Sequence, residues 1–436
     1  MCGGDPGLTY AADLLRHLGG TIVSDPGAGS FDAALLDHDL GLPCPLVVAA
    51  PSNEIGDWAR SGAMYLTGEP KGPPLPAPGT PATAARGAAL AVELLSSLRG
   101  HRVRIDGPVL LGERAALAGF RRGGMVSAGG ACKLLATRDG HVAVNLPRAE
   151  DFDLAPAWLE RPVTSWDEIA SECRGRLTGE LVERAALVGL AVAAPPGVEP
   201  DAQLRARGQV NRLRPWLLTA GGRANPPVKP LVVDLSALWA GPLCAHLLQR
   251  AGCRVVKVEA VDRPDGSRSG APAFFSLMNE GKEPANLADL VELLHRADVV
   301  IESSRPRAMD QKGISPDDFP STVWVSITGY GRSGPWSNRP AFGDDAAVAG
   351  GLVAGGPVFA GDAIADPLTG LHAASAALAA LAGRWGGLVD VPLREVSAYV
   401  ATREGSSTVG EAVRDGDGWQ IDGHRVEMPR ARHVGR

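Results

Sequence analysis

The chain has 436 residues, of which 43 are basic and 49 acidic, so its formal net charge is -6. This acidic balance argues against a general nucleic-acid-binding protein, which would normally carry a basic surface. The length suffices for two or three domains that bury their own cores without a disulfide or metal. No apolar run reaches the 18 residues of a membrane span, so we expect no membrane partner.

The cysteines indicate the redox compartment. None of the six forms a CxxC pair, so they predict reduced thiols and neither a disulfide framework nor a zinc site. The segment MCGGDPGLTY lacks the basic and apolar parts of a signal peptide. We therefore expect a cytoplasmic protein without a bound metal. The six cysteines are Cys2, Cys44, Cys132, Cys173, Cys244 and Cys253.

The N-terminal part of the chain resembles a later part. Residues 14–23 align with residues 247–256, and further weak matches follow in the same order. Such ordered self-similarity indicates an internal repeat. We expect residues 1–119 to be a degenerate, truncated copy of a large domain. The later matches pair Asp57 with Asp345, Thr83 with Asp366, and Val103 with Val389.

Residues 120–220 have a different pattern and predict a small α+β domain. Asp139-Gly140 favours a hairpin between strands Lys133–Ala136 and His141–Leu146. Ser165 followed by Glu168 is typical of a helix start, and Gly179–Val188 predicts another helix. The segments richest in proline and glycine, which predict linkers, are Gly68–Pro81 and Gly221–Pro230.

Residues 225–405 alternate between strand and helix patterns. Strand Leu231–Leu235, helix Pro242–Arg250 and strand Arg254–Glu259 predict a βαβ unit and hence a parallel sheet. The overall prediction is an α/β protein: a Rossmann-like large domain, a small α+β domain, a degenerate second copy, and a tail at 406–436. The remaining elements are predicted at Leu287–Arg296, Asp298–Ser303, Thr322–Thr328, 366–384, Leu388–Leu393 and Arg394–Arg403.

Several common motifs are absent or out of place. The first strand is not followed by GxGxxG, and no GxxxxGK[ST] occurs, which disfavours dinucleotide and P-loop sites. Residues 266–270 match GxSxG but lack the adjoining strand and helix of a nucleophile elbow, so we expect a polar loop. His372, on an alanine-rich helix, is predicted to be a partly buried polar residue.

Asp366 admits two interpretations from its local sequence. An aspartate before Pro367 at the start of an apolar helix is typical of an N-cap. The same position stabilises an anion, and in a water-poor cleft that carboxylate could be a nucleophile. Thr83, at the matching place in the first copy, could cap a helix but could not be a carboxylate nucleophile.

At these positions the sequence resembles the class III coenzyme A-transferases, which include formyl-CoA and carnitine CoA-transferases and α-methylacyl-CoA racemases. The resemblance covers about 230–400, and residues 120–215 resemble the family's small domain. The matching segments are Val232–Leu235, Ala240–Pro242, Ala251–Glu259, Asn279–Lys282, Ala297–Glu302, Arg305-Pro306, Val325–Gly331, Gly334-Pro335, and Asp366 with Gly370.

The resemblance implies that Asp366 attacks an acyl-CoA thioester and that CoA moves to a carboxylic acid through covalent aspartyl intermediates. Coenzyme A would be a substrate and not a permanently bound cofactor, and the chain would form a homodimer, possibly interlocked. The implied CoA contacts are Leu238, Trp239, Ala240, Ser303, Ser304, Arg305, Lys312, Gly329 and Tyr330.

Some positions depart from the family pattern. Ala260 and Gln311 stand where relatives often carry a basic phosphate-binding residue. The family's mobile glycine loop could correspond to Gly123-Gly124 or to Gly129-Gly130. The cations that could substitute are Arg263, Arg305, Arg307 and Lys312.

Two other functions remain open. A racemase would need a histidine at Gly343 or Asp344, where none stands. The missing basic positions and the truncated copy are compatible with a CoA-binding pseudoenzyme or a partner subunit. Solvent deuterium entering the α-carbon would mark a racemase, transfer to an acceptor acid would mark a transferase, and a pseudoenzyme would do neither.

Overall fold

The structure is a computed structural model that describes residues 5–22, 34–36, 46–197, 214–403 and 410–432. Cys2 and Cys44 lie outside these residues. The other four cysteines are buried and form no disulfide.

A seven-stranded sheet organises the C-terminal half. Its spatial order is β6-β14-β11-β10-β7-β8-β9, and every neighbouring pair is parallel except β14 with β6. The buried strands are rich in valine and isoleucine, as expected for a sheet covered on both faces. The strands are β6 (Leu217–Arg223), β7 (Leu231–Leu235), β8 (Arg254–Glu259), β9 (Glu283–Asn286), β10 (Val299–Glu302), β11 (Val323–Ser326) and β14 (Trp385–Asp390).

Helices connect these strands and cover the sheet. The longest, α15, is alanine-rich and buried along most of its length, because it packs against α10 on one side and α4 of the N-terminal part on another. The helices are α10 (Ala240–Arg250), α11 (Pro272–Asn279), α12 (Leu290–Arg296), α13 (Pro306–Asp310), α14 (Gly343–Gly350), α15 (Ala365–Gly383) and α16 (Leu393–Ala401). A short hairpin joins β12 (Val353–Ala354) to β13 (Val358–Phe359).

The N-terminal part packs directly on this half. One hydrophobic core contains side chains from residues 8–111 together with side chains from residues 216–426. The described elements are α1 (Pro6–His17), β1 (Ala34–Leu36), β2 (Leu46–Val48), α2 (Glu54–Arg60), α3 (Ala63–Leu66), α4 (Pro81–Ser97), α5 (Gly107–Leu110) and α6 (Glu113–Ala118).

A separate core lies within residues 135–194, in the predicted small domain. The predicted hairpin is confirmed, because β3 pairs antiparallel with β4, and β5 adds a third strand. Ser165 is the N-cap of α8 and accepts the Glu168 N–H. The elements are β3 (Cys132–Ala136), β4 (His141–Asn145), α7 (Ala149–Leu159), α8 (Trp166–Arg174), α9 (Thr178–Val188) and β5 (Ala191–Ala193).

Residues 410–432 are the described part of the C-terminal tail. They include a three-stranded antiparallel sheet of β15 (Val413–Asp415), β16 (Gly418–Ile421) and β17 (His424–Arg425). The last described residue, Arg432, forms a bidentate ion pair with Glu113 of α6, whose side chain is fully buried. The tail is therefore fastened to the N-terminal part.

Two predicted boundaries are wrong. The linker Gly221–Pro230 begins inside β6, which pairs with β14 and so belongs to the large sheet although it lies within 120–220. The strand predicted at Leu388–Leu393 is displaced to Trp385–Asp390, because Leu393 already begins α16. The division into domains itself stays a prediction.

The two halves repeat one packing detail. A Cβ on Gly87 of α4 would lie 2.8 Å from the Gly7 carbonyl oxygen of α1, and a Cβ on Gly370 of α15 would lie 2.7 Å from the Ala240 carbonyl oxygen of α10. These glycines and their neighbours correspond in the alignment of the two copies, so the contact is consistent with the duplication, which stays a prediction.

Candidate functional site

The strand order reverses between β7 and β10, at the centre of the large sheet. In open α/β sheets ligands bind in the crevice at such a reversal, beyond the carboxyl ends of the strands. Residues 236–239 follow β7 and Ser303-Ser304 follow β10, so both predicted CoA segments meet at this crevice. The Ala237 N–H donates to the Ser303 hydroxyl over 3.1 Å and joins them.

The turn after β7 is held by a buried ion pair. Asp265 accepts the Leu238 N–H at 3.0 Å, and Lys257 bonds both Asp265 and the Ser236 carbonyl oxygen. Although burial opposes ionisation of Asp265, the Lys257 charge and the donated N–H groups hold its pKa below the usual range. Leu238 has a φ of +70°, unusual for a residue with a side chain, and is 39% exposed.

Asp366 lies in the first turn of α15 and is not its N-cap, so the N-cap prediction is wrong. The N-cap is Ile364, and the Asp366 N–H donates to the Ala363 carbonyl oxygen. The Asp366 carboxylate accepts the backbone N–H of Ala240, at the start of α10. The carboxylate thus bridges the two helices that flank the crevice.

The surroundings of the Asp366 carboxyl raise its pKa towards neutrality. Burial raises its pKa to about 7; Arg114 and the Ala240 N–H oppose this rise, and Asp344 and Asp362 add to it. Asp344, whose Oδ1 accepts the Ala363 N–H at 2.8 Å, has its pKa raised to about 6, chiefly by burial and by Asp362. The carboxyl groups of Asp344, Asp362 and Asp366 lie together around the Arg114 guanidinium. Because their negative charges repel one another, the protonated form of at least one of them is favoured.

Asp366 opens into a cavity of about 780 Å³, the size of a cleft that takes a cofactor-sized molecule. One wall comes from the ends of β7, β8 and β10, and the opposite wall comes from residues 114–150. Aromatic rings and three exposed cations line it. The rings are Phe120, Trp239, Phe274 and Phe342, and the exposed cations are Arg148, Arg263 and Lys312.

The structure brings most of the predicted CoA contacts into this cavity, but not all. Tyr330 is buried against Trp336, and Gly329 faces Ala341. Arg305 is the N-cap of α13, and Ala240 contributes its N–H to Asp366. None of these four predicted residues lines the cavity, and their roles stay predictions. The predicted residues that line it are Leu238, Trp239, Ser303, Ser304, Lys312 and Asp366.

Of the two predicted glycine loops, one lies beside Asp366. Gly129 lines the cavity, and a Cβ there would lie 3.4 Å from the Arg114 guanidinium. Gly123 and Gly124 instead pack against Val126 and Glu69. Of the two predicted pairs, Gly129-Gly130 is therefore the one that contributes to this cavity, and its identity with the family's glycine loop stays a prediction.

Sequence reasoning missed Arg114 and Asn145, because their contacts join residues far apart in the chain. Arg114 forms a bidentate ion pair with Asp362 at 2.6 and 2.9 Å. Asn145 is 2% exposed and donates to Asp345, while its own carbonyl oxygen faces no partner. No local pattern marks either residue.

Two other features take the structural roles that the sequence predicted. His372 is fully buried: its ring nitrogens bond the Tyr10 hydroxyl and the Leu368 carbonyl oxygen, and burial lowers its pKa to about 4. The GxSxG segment, predicted to be a polar loop, contains one turn of 3-10 helix, Gly266–Ser269, and Gly266, Ser267 and Gly270 line the cavity.

Comparisons with known proteins find similarity to CoA-transferases. Residues 230–417 match CoA-transferase family III. Over 40% of its length the chain is 31% identical to an acyl-CoA transferase of Fusarium pseudograminearum, and over 36% it is 32% identical to a succinyl-CoA:glutarate CoA-transferase of Mus musculus. It is 31% identical to an acetyl-CoA:oxalate CoA-transferase of Acetobacter aceti over 27% of its length.

The match to CoA-transferase family III covers residues 230–417, which is under half of the chain. The chain spans less than half the length of these three curated relatives: 46%, 43% and 36%. A solved CaiB/BaiF family protein from Brucella suis is 25% identical, with a TM-score of 0.39 over 45% of this chain and 65% of the other.

Within the part of the chain that the structure describes, no helix is long and apolar enough to cross a membrane. Nor do the described residues contain a group of three or more His, Cys, Asp or Glu side chains that could hold a metal ion.

Proposed function

We propose that this chain is an acyl-CoA:carboxylate CoA-transferase that moves CoA from an acyl-CoA donor to a carboxylic acid through covalent intermediates on Asp366. The observation that carries the proposal is the position of Asp366: its carboxylate opens into a cavity shared with the turn 236–239 and with Ser303-Ser304, at the reversal of the sheet.

In the proposed reaction an Asp366 oxygen attacks the thioester carbonyl carbon. The C–S bond breaks, CoA leaves as the thiolate, and an aspartyl–acyl anhydride remains. The thiolate then attacks the aspartyl carbonyl and releases the donor acid, which leaves an aspartyl-CoA thioester. The acceptor carboxylate repeats the two steps in reverse and regenerates Asp366. Covalent catalysis divides one difficult exchange into easier steps.

The surroundings of Asp366 suit this chemistry. The attacking form is the carboxylate, and the Ala240 N–H together with the Arg114 charge favour that form. The rings of Trp239, Phe120 and Phe342 line the cavity and would limit the access of water to the anhydride. The reacting carbon would therefore lie in a mostly apolar space next to the nucleophile.

We propose that CoA lies along the wall formed by the ends of β7 and β10, with Leu238, Trp239, Ser303 and Ser304 as contacts. Arg263 and Lys312 are exposed on the cavity lining, where they could meet the CoA phosphates in place of the cations missing at 260 and 311. Four other predicted contacts do not line the cavity, so they would support the residues that touch CoA and would not touch it themselves. They are Ala240, Arg305, Gly329 and Tyr330.

The relatives' names give a starting panel of substrates. They name succinyl-CoA with glutarate and acetyl-CoA with oxalate. We would incubate the protein with each acyl-CoA and each acid, and follow the CoA esters by mass spectrometry. Formation of a new CoA ester that depends on both partners and is lost in Asp366→Asn supports the proposal. Asp310→Asn, at an exposed position on α13, is the matched control.

The same mixtures in deuterated water distinguish the other functions. A racemase would place solvent deuterium on the α-carbon without any acceptor acid. A pseudoenzyme or partner subunit would bind CoA, measured by calorimetry, and form no new ester. The cytoplasmic location and the homodimer also remain predictions, and light scattering of the purified chain tests the latter.

A further inference from the structure

Arg114 joins three parts of the molecule at the cavity. It lies on α6, in the N-terminal part of the chain, and its guanidinium forms a bidentate ion pair with Asp362, whose side chain is fully buried. The same guanidinium lies over the ring of Trp239, 5.4 Å from its centroid, and 5.7 Å from that of Phe120. The planar guanidinium of arginine can pair with a carboxylate through two N–H groups while it stacks on aromatic rings. A lysine ammonium group cannot make both interactions.

The two contacts of Arg114 reach the two segments that place Asp366. Asp362 lies in the loop that leads into α15, four residues before Asp366. Trp239 is the N-cap of α10, next to Ala240, whose N–H bonds the Asp366 carboxylate. A shift of Arg114 would therefore move both the loop that leads to Asp366 and the start of α10, whose N–H bonds the Asp366 carboxylate.

Arg114 is also a cation within an acidic cluster. The groups that act on Asp366 from the surrounding elements are Arg114 from α6, Asp344 from α14, Asp362 from the preceding loop, and the Ala240 N–H from α10. Among them Arg114 is the side chain that favours the carboxylate form. The charge that makes Asp366 a nucleophile thus comes from outside residues 230–417.

We propose that Arg114 is a positioning residue of the Asp366 site: it fixes the loop before the nucleophile and supplies the positive charge opposite Asp344, Asp362 and Asp366. The inference rests on the proposed function for its meaning, but its test does not need an acyl-CoA substrate. It also gives the N-terminal part a role, because that part completes the site electrostatically.

The test follows the titration of Asp366 directly. A water-soluble carbodiimide and an amine label carboxyl groups, and the labelling of Asp366 is quantified by peptide mapping across a pH series. The pH at which labelling of Asp366 is half-maximal is the midpoint. In the full chain, Arg114→Gln removes the cation and should move this midpoint upward by about 1 pH unit. Asp362→Asn removes an anion from the same ion pair and should move it downward. Arg114→Lys, which keeps the charge, should leave it nearly unchanged.

The matched control is Arg122→Gln. Arg122 lies shortly after α6 in the chain, but it bonds backbone carbonyl oxygens of Tyr65, Glu69 and Gly72 and does not line the cavity. Its midpoint should equal that of the wild type. Opposite shifts from the two members of one ion pair support the proposal, since a merely structural role would not change sign.

A midpoint in Arg114→Gln within about 0.2 unit of the wild type would overturn it. If Arg114→Gln does not fold, the double variant Arg114→Gln/Asp362→Asn, which leaves neither charge unpaired, is compared with Asp362→Asn: a higher midpoint in the double variant supports the proposal, and equal midpoints overturn it. Failure of the proposed function is separate: it would be the absence of any new CoA ester in the wild type, whatever the titration shows.

Discussion

Gly343 lies directly against the Asp366 carboxylate, and this contact yields a sharp prediction. A Cβ on Gly343 would lie 2.2 Å from Asp366 Oδ2, and 2.7 Å from the Cβ of Ala363. Real contacts of this kind are at least 3.0 Å, and the added methyl group would also meet the Ala363 carbonyl oxygen. Gly343→Ala must therefore shift the carboxylate, the start of α14 or the loop before α15, and we expect a displacement of about 1 Å between the carboxylate and its surroundings. Such a displacement of a reacting group costs about 10²-fold in rate.

Destabilisation alone could also slow the reaction, and Gly350→Ala controls for it. Gly350 ends the same helix, and a Cβ there would meet the Cβ of Ser397 on α16 at 2.3 Å. Both variants should lose about 1–3 kcal/mol of unfolding free energy through overpacking. Only Gly343→Ala should also lose about 10²-fold in the rate at which Asp366 captures an acyl group.

The assay is the rate of hydroxamate formation with an accepted acyl-CoA, measured beside urea unfolding of each variant. If Gly343→Ala folds and captures the acyl group at a rate within about threefold of the wild type, the carboxylate is not held where the structure places it. The same conclusion follows if Gly350→Ala slows capture as much as Gly343→Ala does.

Three further predictions follow from buried charges. Acyl capture should increase with pH through about 7, because burial raises the Asp366 pKa to that value and the carboxylate is the proposed nucleophile; a rate already constant from pH 5 contradicts this. Burial lowers the His372 pKa from 6.5 to about 4, so the folded state binds fewer protons than the unfolded state between these values. Unfolding free energy should therefore fall by about 3 kcal/mol as the pH drops through this range, and by visibly less in His372→Gln, as measured by urea unfolding. Arg432→Gln leaves the fully buried Glu113 unpaired and should cost about 3–5 kcal/mol, whereas Arg425→Gln, from an exposed pair with Asp417, should cost under about 0.5 kcal/mol; equal effects in denaturant unfolding would contradict the buried pairing.

The sequence predicted the elements of 230–400 closely, because turn residues and apolar runs mark them locally. Leu231–Leu235 and Arg254–Glu259 are confirmed at both ends, and the helix predicted from Pro242 begins two residues earlier, at Ala240. The end of β6, from Gly221, falls in a predicted linker, since its glycines indicate a loop and only the pairing with β14 makes it a strand.

The site was only partly predictable, because many of its contacts join residues that are far apart in the chain. The importance of Asp366 follows from a resemblance of ordered motifs, but its place within the first turn of α15 depends on the contact with Ala240 of α10. Arg114 and Asp362 are 248 residues apart, and no periodicity or spacing joins them. Contacts across the fold decide such details, and a single sequence does not record them.

The central claim is that Asp366 forms an acyl intermediate, and hydroxylamine trapping tests it most directly. Wild type, Asp366→Asn and Asp310→Asn would each be incubated with a panel of acyl-CoAs and hydroxylamine, and their intact masses and peptide maps compared. We predict a gain of about 15 mass units, the difference between a hydroxamate and an acid, at Asp366 in wild type and Asp310→Asn. The same gain in Asp366→Asn, or none in any protein with any donor, would contradict the account.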